Sequence, residues 1–350
     1  MSTCATASRD GAEPVAGTSA TARTWLLVEQ TGPWGTEALT ESHLDPRIGR
    51  ALETAANGTG VRVALVRRPG RHADGRRLDG CRVFVAHTAP GRPWIRTTTL
   101  ADAEPLLGLD FVRLGAGEHD GLWEPYDGEP LVFICTNGKR DRCCAVLGRP
   151  LAAELAASGA EAWEVTHIGG HRFSPTLFVL PYGYAYGRAS APLVKDAVAS
   201  AREGRILLDH CRGRSTWERP AQAADLAVRE LILEDRADAL DVVRTEAAPF
   251  PAVTPPLGGL PLTTVTPFPA VAPPPAMALS SAAVATSPAA PPRPRATSTP
   301  AWTVTVAHRD GRSWQVAVEQ RADGTPAPAS CGFPLGKPAR MAVLSIRRLA

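Results

Sequence analysis

Two histidines stand four residues apart in the stretch THIGGHRF, residues 166–173, with Ile168 and a glycine pair between them. At positions i and i+4, His167 and His171 would share one side of a helix. Zinc proteases use that spacing in H-E-x-x-H. Gly169 and Gly170 argue against a helix, because each glycine costs about 1 kcal/mol relative to alanine in a helix interior. No glutamate follows His167 to act as a base. The stretch reads instead as a loop whose backbone takes positive φ or passes close to something bulky. Two imidazoles on such a loop can ligate one metal centre. Taken alone, the plainer reading is two loop histidines hydrogen-bonded to backbone.

A second stretch changes that balance. CTNGKRDRCCAVLG, residues 135–148, places three of the chain's seven cysteines within ten residues. Cys135 closes an apolar run that reads as a strand. Cys143 and Cys144 stand where the next helix begins, and a helix N-terminus favours thiolate, the form that ligates metal. His167 also follows a strand end, and ligands from neighbouring strand ends of one α/β sheet converge at one edge of that sheet. The spacing lacks the C-x(2–4)-C pair usual in structural zinc sites. Rieske sites bind two cysteines to one iron and two histidines to the other, but draw them from a different loop arrangement.

The elements that must position these groups follow from hydrophobic pattern. TWLLVEQ, VRVALVRR, CRVFVAH, PLVFICT and AWEVT read as strands. TLFVLPYGYAYGR reads as two strands joined at PYG. AVLGRPLAAELAASG, APLVKDAVASAREGR and PAQAADLAVRELILEDRA read as helices. AWTVTVAH and SWQVAVEQ flank RDGR as a hairpin, and MAVLSIRRL is a third strand in waiting. An α/β chain is expected, with a disordered leader (1–23), an N-terminal α/β lobe (24–125), a second domain (126–240), a Pro/Ala-rich disordered linker (246–300) and a small β segment (301–350) docked on the body.

The chain has 350 residues, 38 basic and 35 acidic, for a formal charge of +3. That balance gives no reason to expect nucleic acid or an acidic membrane as partner. No apolar run has the length of a transmembrane helix. The first 23 residues lack a secretory signal core and carry Asp10 and Glu13. An odd cysteine count without an export signal points to a cytoplasmic chain with thiol or metal chemistry rather than a disulfide framework.

The two motifs together, CTNGKRDRCCAVLGRPLA and HIGGHRFSPTLFVLPYGYAYGR, resemble the sucrase/ferredoxin-like family, which includes bis-histidinyl [2Fe–2S] proteins. The resemblance runs from about Thr24 to Ala237, with a weaker echo at SCG in the tail. It implies a thioredoxin-like ferredoxin unit in the second domain. It implies one [2Fe–2S] cluster, with Cys135 and Cys144 on one iron and His167 and His171 on the other; Cys143 stays open as the alternate to Cys144. Relatives commonly carry histidine where this chain has Asn137. Imidazoles in place of two thiolates make the site less negative and raise its potential. Their outer nitrogens couple electron transfer to protons where solvent reaches them. The resemblance also implies an electron carrier served by an external reductase and a redox acceptor. No G-x-G-x-x-G follows a strand, and no carboxylate pair supports sucrase chemistry.

Around these groups, Gly169 and Gly170 let the loop bend and leave room beside the inorganic sulfides. Arg140 and Asp141 are expected to pair and orient the cysteine loop, and Arg172 to steady a reduced cluster. Tyr182, Tyr184 and Tyr186 read as strand packing, and Trp34 as a turn-plus-core residue. Cys4, Cys81, Cys211 and Cys331 read as free thiols apart from the motif. The competing readings are a zinc-binding Cys/His module and a thiol redox protein using the Cys143–Cys144 pair.

Overall fold

The computed structural model describes residues 3–70, 80–248 and 299–350. Helix α1 (Cys4–Asp10) comes first, capped by the Thr3 hydroxyl. The next stretch holds β1 (Thr24–Glu29), α2 (Ala38–Glu41), α3 (Pro46–Ala56), β2 (Val61–Arg67), β3 (Cys81–His87), β4 (Trp94–Leu100), α4 (Phe111–Ala116) and the short β5 (Glu124–Pro125). The motif-bearing stretch runs β6 (Leu131–Cys135), α5 (Arg142–Ala157), β7 (Ala162–Val165), β8 (Leu177–Leu180), β9 (Tyr184–Tyr186), α6 (Ala191–Arg202), β10 (Cys211–Arg214) and α7 (Arg219–Ile232). Strand β11 (Leu240–Ala247) follows, and after the undescribed segment come β12 (Ala301–His308), β13 (Ser313–Arg321), β14 (Ala327–Pro328), β15 (Leu335–Gly336) and β16 (Arg340–Arg348).

The mixed α/β class is as expected, but the two lobes are not separate bodies packed together. One ten-stranded sheet runs through both, in the order β10-β9-β8-β6-β7-β2-β1-β3-β4-β5. The join is β2 against β7, antiparallel, with Val66 opposite Val165 and Arg67 opposite Glu164. Arg67 and Glu164 form a buried ion pair at 2.7 Å across that seam. A shared ladder satisfies the backbone groups that two separate sheet edges would leave open.

Both faces of the sheet are covered, which is why β6 reads as an unbroken apolar run. Its residues alternate. Val132 and Ile134 face a core with Leu151 and Leu155 of α5 and Val194 of α6. Leu131, Phe133 and Cys135 face a core with Trp25, Phe84, Trp163 and Phe178. Tyr184 and Tyr186 pack in the first of these cores, as the strand reading expected. Trp34 is buried, with its indole N–H donated to the Gln30 carbonyl.

The tail is larger than a hairpin. Strands β11, β12, β13 and β16 form a four-stranded antiparallel sheet. Its inner face, Val304, Val306, Trp314, Val316 and Val318, packs on Trp217, Ala224 and Val228 of and beside α7. The expected linker therefore begins too early: Glu246 and Ala247 pair with Thr303 and Trp302. The rest of that predicted linker, residues 249–298, lies outside the described residues.

The leader expectation is overturned. Residues 3–23 are ordered, with Cys4, Ala5 and Ser8 buried. Arg188 holds the segment by donating to the carbonyls of Ser8 and Glu13. The segment's small polar residues resemble a solvated tail in composition, and only tertiary contacts reveal otherwise.

Candidate metal centre

Strand register brings the two motifs together. In the parallel pair β6–β7, Cys135 stands opposite Val165. The chain therefore leaves both strands at one sheet edge, and His167 follows two residues beyond Val165. The cysteine loop is built by Asn137, whose side-chain oxygen accepts the N–H groups of Lys139 and Arg140. Asp141 then caps α5 by accepting the Cys143 N–H at 2.8 Å.

Helix α5 decides between the adjacent cysteines. Cys144, Gly148, Leu151, Ala152 and Leu155 form its buried stripe at helical spacing. A Cβ on Gly148 would overlap the Cys135 carbonyl oxygen, so glycine lets the helix lie directly on the strand end. Cys144, one turn earlier on that face, meets Cys135. Cys143 turns to the other flank, toward Cys4 and Cys331. The vicinal pair thus serves two different environments, which removes the geometry a Cys143–Cys144 redox couple would need. The helical stripe was present in the sequence and would have made the same choice.

Cys135, Cys144 and His167 present one ligand atom each within 4.8 Å of one another. Nδ1 of His167 lies 4.0 Å from Cys135 Sγ and 3.9 Å from Cys144 Sγ. The Cys135 thiol is held well below its usual range, chiefly by the hydrogen bond from the Cys144 thiol and further by His167 and the Ile168 N–H. Cys144, as the donor, is correspondingly raised. His171 is adjacent rather than part of that tight group: its ring centre is 5.3 Å from that of His167. Its Nε2 lies 2.7 Å from the Ala329 carbonyl, which fixes Nε2 as the protonated nitrogen. Its Nδ1 is buried and has no hydrogen-bond partner among the described residues.

Gly169 and Gly170 both take positive φ, +77° and +71°, as the loop reading required. Their uses differ. A Cβ on Gly169 would meet nothing within 4 Å, while one on Gly170 would overlap the Arg212 guanidinium. Arg212, buried, donates to the Gly169 carbonyl and to Thr18. Burial pushes its pKa down to about 10. Arg62 donates to the His167 carbonyl at 3.0 Å. These two arginines brace the histidine loop from β2 and β10, and no local pattern in the sequence marks them. A cleft of about 870 Å³, lined by His167, Asn137, Arg140, Arg62 and Arg23, opens beside the site.

Three expected roles are corrected. Arg140 pairs with Glu37 at 2.9 Å, not with Asp141. Asp141 instead accepts the Ser330 hydroxyl and the Cys331 N–H. Arg172 pairs with Glu13 at 2.7 Å, so its charge is already engaged. Cys4 and Cys331 do not stand apart from the motif. No helix among the described residues is long and apolar enough to cross a membrane.

The protein called altered inheritance of mitochondria protein 32, from Meyerozyma guilliermondii, is 30% identical over 97 residues, covering 24% of this chain and 34% of that protein. The chain spans about a third of the length of the curated relative it matches. No solved structure matches. The sucrase/ferredoxin-like family matches residues 15–213, a span that takes in β1 to β9 and most of β10, both motifs and both bracing arginines; the chain belongs to that family.

Proposed function

We propose that the chain holds one [2Fe–2S] cluster on Cys135, Cys144, His167 and His171, and carries electrons between an external reductase and a redox acceptor. The observation that carries this reading is the state of His171. Its outer nitrogen is tied to the Ala329 carbonyl, and its inner nitrogen is buried without a partner beside the Cys135–Cys144–His167 group. A metal-bound histidine commonly donates its other N–H to a carbonyl in this way. The assignment pairs His167 with His171 on the second iron, and their ring centres lie 5.3 Å apart on the same loop. The βαβ–ββα order of β6 to α6, with strands ordered β7-β6-β8-β9, is the one expected of a thioredoxin-like unit.

When bound, such a cluster would supply a one-electron couple whose two imidazole ligands place its potential above that of an all-cysteine ferredoxin. The chain's own residues supply the setting. Arg62 and Arg212 fix the loop carbonyls and hold positive charge near Cys135, which favours thiolate there. The open side of Gly169 leaves space next to both histidines.

Anaerobic purification with iron and acid-labile sulfide analysis tests the proposal. A brown chain with two irons and two sulfides is expected. A colourless chain with zinc on these four residues would overturn it.

A further inference from the structure

The fold gathers three cysteines that lie far apart in sequence. Cys4 comes from α1, Cys143 from the first turn of α5 and Cys331 from the loop between β14 and β15. Cys4 Sγ lies 3.4 Å from Cys143 Sγ and 3.6 Å from Cys331 Sγ. Cys143 and Cys331 are 3.1 Å apart. The Asp141 carboxylate completes the group, with its oxygens 3.8 and 3.9 Å from Cys4 Sγ. All four residues present a ligand atom within 4.8 Å of one another.

These separations can be compared with two chemistries. A disulfide has its sulfurs about 2.0 Å apart and joins only two of three thiols. Tetrahedral zinc, with Zn–S of about 2.3 Å and Zn–O of about 2.0 Å, sets sulfur pairs about 3.8 Å apart and sulfur–oxygen pairs about 3.5 Å apart. Every measured separation falls within about 0.7 Å of that tetrahedron, and all three thiols are used. The carboxylate is also prepared for the role. Its Oδ2 accepts the Ser330 hydroxyl and the Cys331 N–H, which fix its orientation. Its Oδ1 accepts only the Cys143 N–H among these bonds and keeps a lone pair toward Cys4.

We propose that Cys4, Cys143, Cys331 and Asp141 form a structural zinc site on the flank of α5 away from Cys144, its Asp141 lying 3.7 Å from Nε2 of His171 in the neighbouring cluster site. Binding releases the thiol protons to solvent. The ion ties α1 and the β14–β15 loop to the N-terminus of α5. It also holds Ala329, two residues before Cys331, where its carbonyl meets His171. The zinc site itself does not depend on the electron-transfer reading.

The test is metal content of the full chain purified anaerobically with zinc present. Wild type is expected to carry one zinc per chain after extensive dialysis. Cys4→Ser and Cys331→Ser should lose it while keeping the iron chromophore. Cys331→His, which supplies another zinc ligand, should retain zinc. Cys135→Ser should lose the chromophore and keep zinc, so failure of one site is distinguishable from failure of the other. Cobalt exchanged into wild-type chain should give the intense visible bands of tetrahedral thiolate coordination, a readout that needs no variant to fold. Wild type without zinc, zinc retained in both serine variants, weak octahedral cobalt bands, or an intact mass showing two of these thiols joined as a disulfide would each overturn the proposal.

Discussion

The glycine pair of the histidine loop gives a controlled comparison within one dipeptide. Gly169→Ala and Gly170→Ala both place a Cβ at positive φ, +77° and +71°. That conformation costs an L-residue about 1–2 kcal/mol. Both substitutions restrict the unfolded chain equally, so that effect cancels in the difference. What differs is the neighbour. The new methyl meets open space at Gly169 but overlaps Arg212 Nη2 at Gly170, coming within 2.5 Å of Cζ. Arg212 has no room to yield, because it is buried and bonded to Thr18 and the Gly169 carbonyl. Losing one hydrogen bond of a charged group costs about 1.5–3 kcal/mol. Gly170→Ala should therefore destabilise the chain by about 2.5–5 kcal/mol and Gly169→Ala by about 1–2 kcal/mol. At a urea slope of about 3 kcal/mol/M, the two midpoints should lie about 0.5–1 M apart. Equilibrium urea unfolding followed by tryptophan fluorescence measures this. Coincident midpoints, or a milder effect at Gly170, would show that Arg212 is not locked behind the loop. In an Arg212→Ala background the gap should close.

Other expectations follow from the same geometry. Cys144→Ala should abolish iron binding while Cys143→Ser leaves iron and sulfide content unchanged, because only Cys144 lies on the helix face that meets Cys135; iron analysis of the two variants decides it. His167→Cys and His171→Cys should each keep a cluster at a lower potential. The wild-type potential should fall as pH rises and the slope should weaken in those variants, as read by redox titration from about pH 6 to 9. Buried His87 is pushed down from 6.5 to about 4, first by burial and then by the charges of Arg92, Arg23 and Arg214. The unfolded chain takes up this proton below about pH 6.5 while the folded chain resists to about pH 4, so stability is full above the upper value and is lost as pH falls between them. Urea midpoints across that range should show this loss, and His87→Asn should flatten it; an unchanged slope would mean that His87 is not its source.

The sequence determined the elements and the chemistry available to them. Strand β6 reads as buried because its side chains enter cores on both faces, and a glycine pair between two histidines excludes a helix. Periods of two and 3.6 are local properties, so β1 to β3, β6 to β9, α5 to α7 and the tail strands β12, β13 and β16 were legible from residue pattern, while β11 was not. The stripe from Cys144 through Gly148 to Leu155 carried the choice between the adjacent cysteines, although only the helix laid on β6 made it plain. What the tertiary structure alone decided depends on contacts across long chain separations. The β2–β7 seam turned two expected lobes into one sheet. Arg62 and Arg212 reach the histidine loop from strands with no motif of their own. Cys4 and Cys331 meet Cys143 although 139 and 188 residues separate each from it. Side-chain type and local spacing set what each residue can do; which residues share one point in space is set by strand order and register, and those are properties of the whole fold.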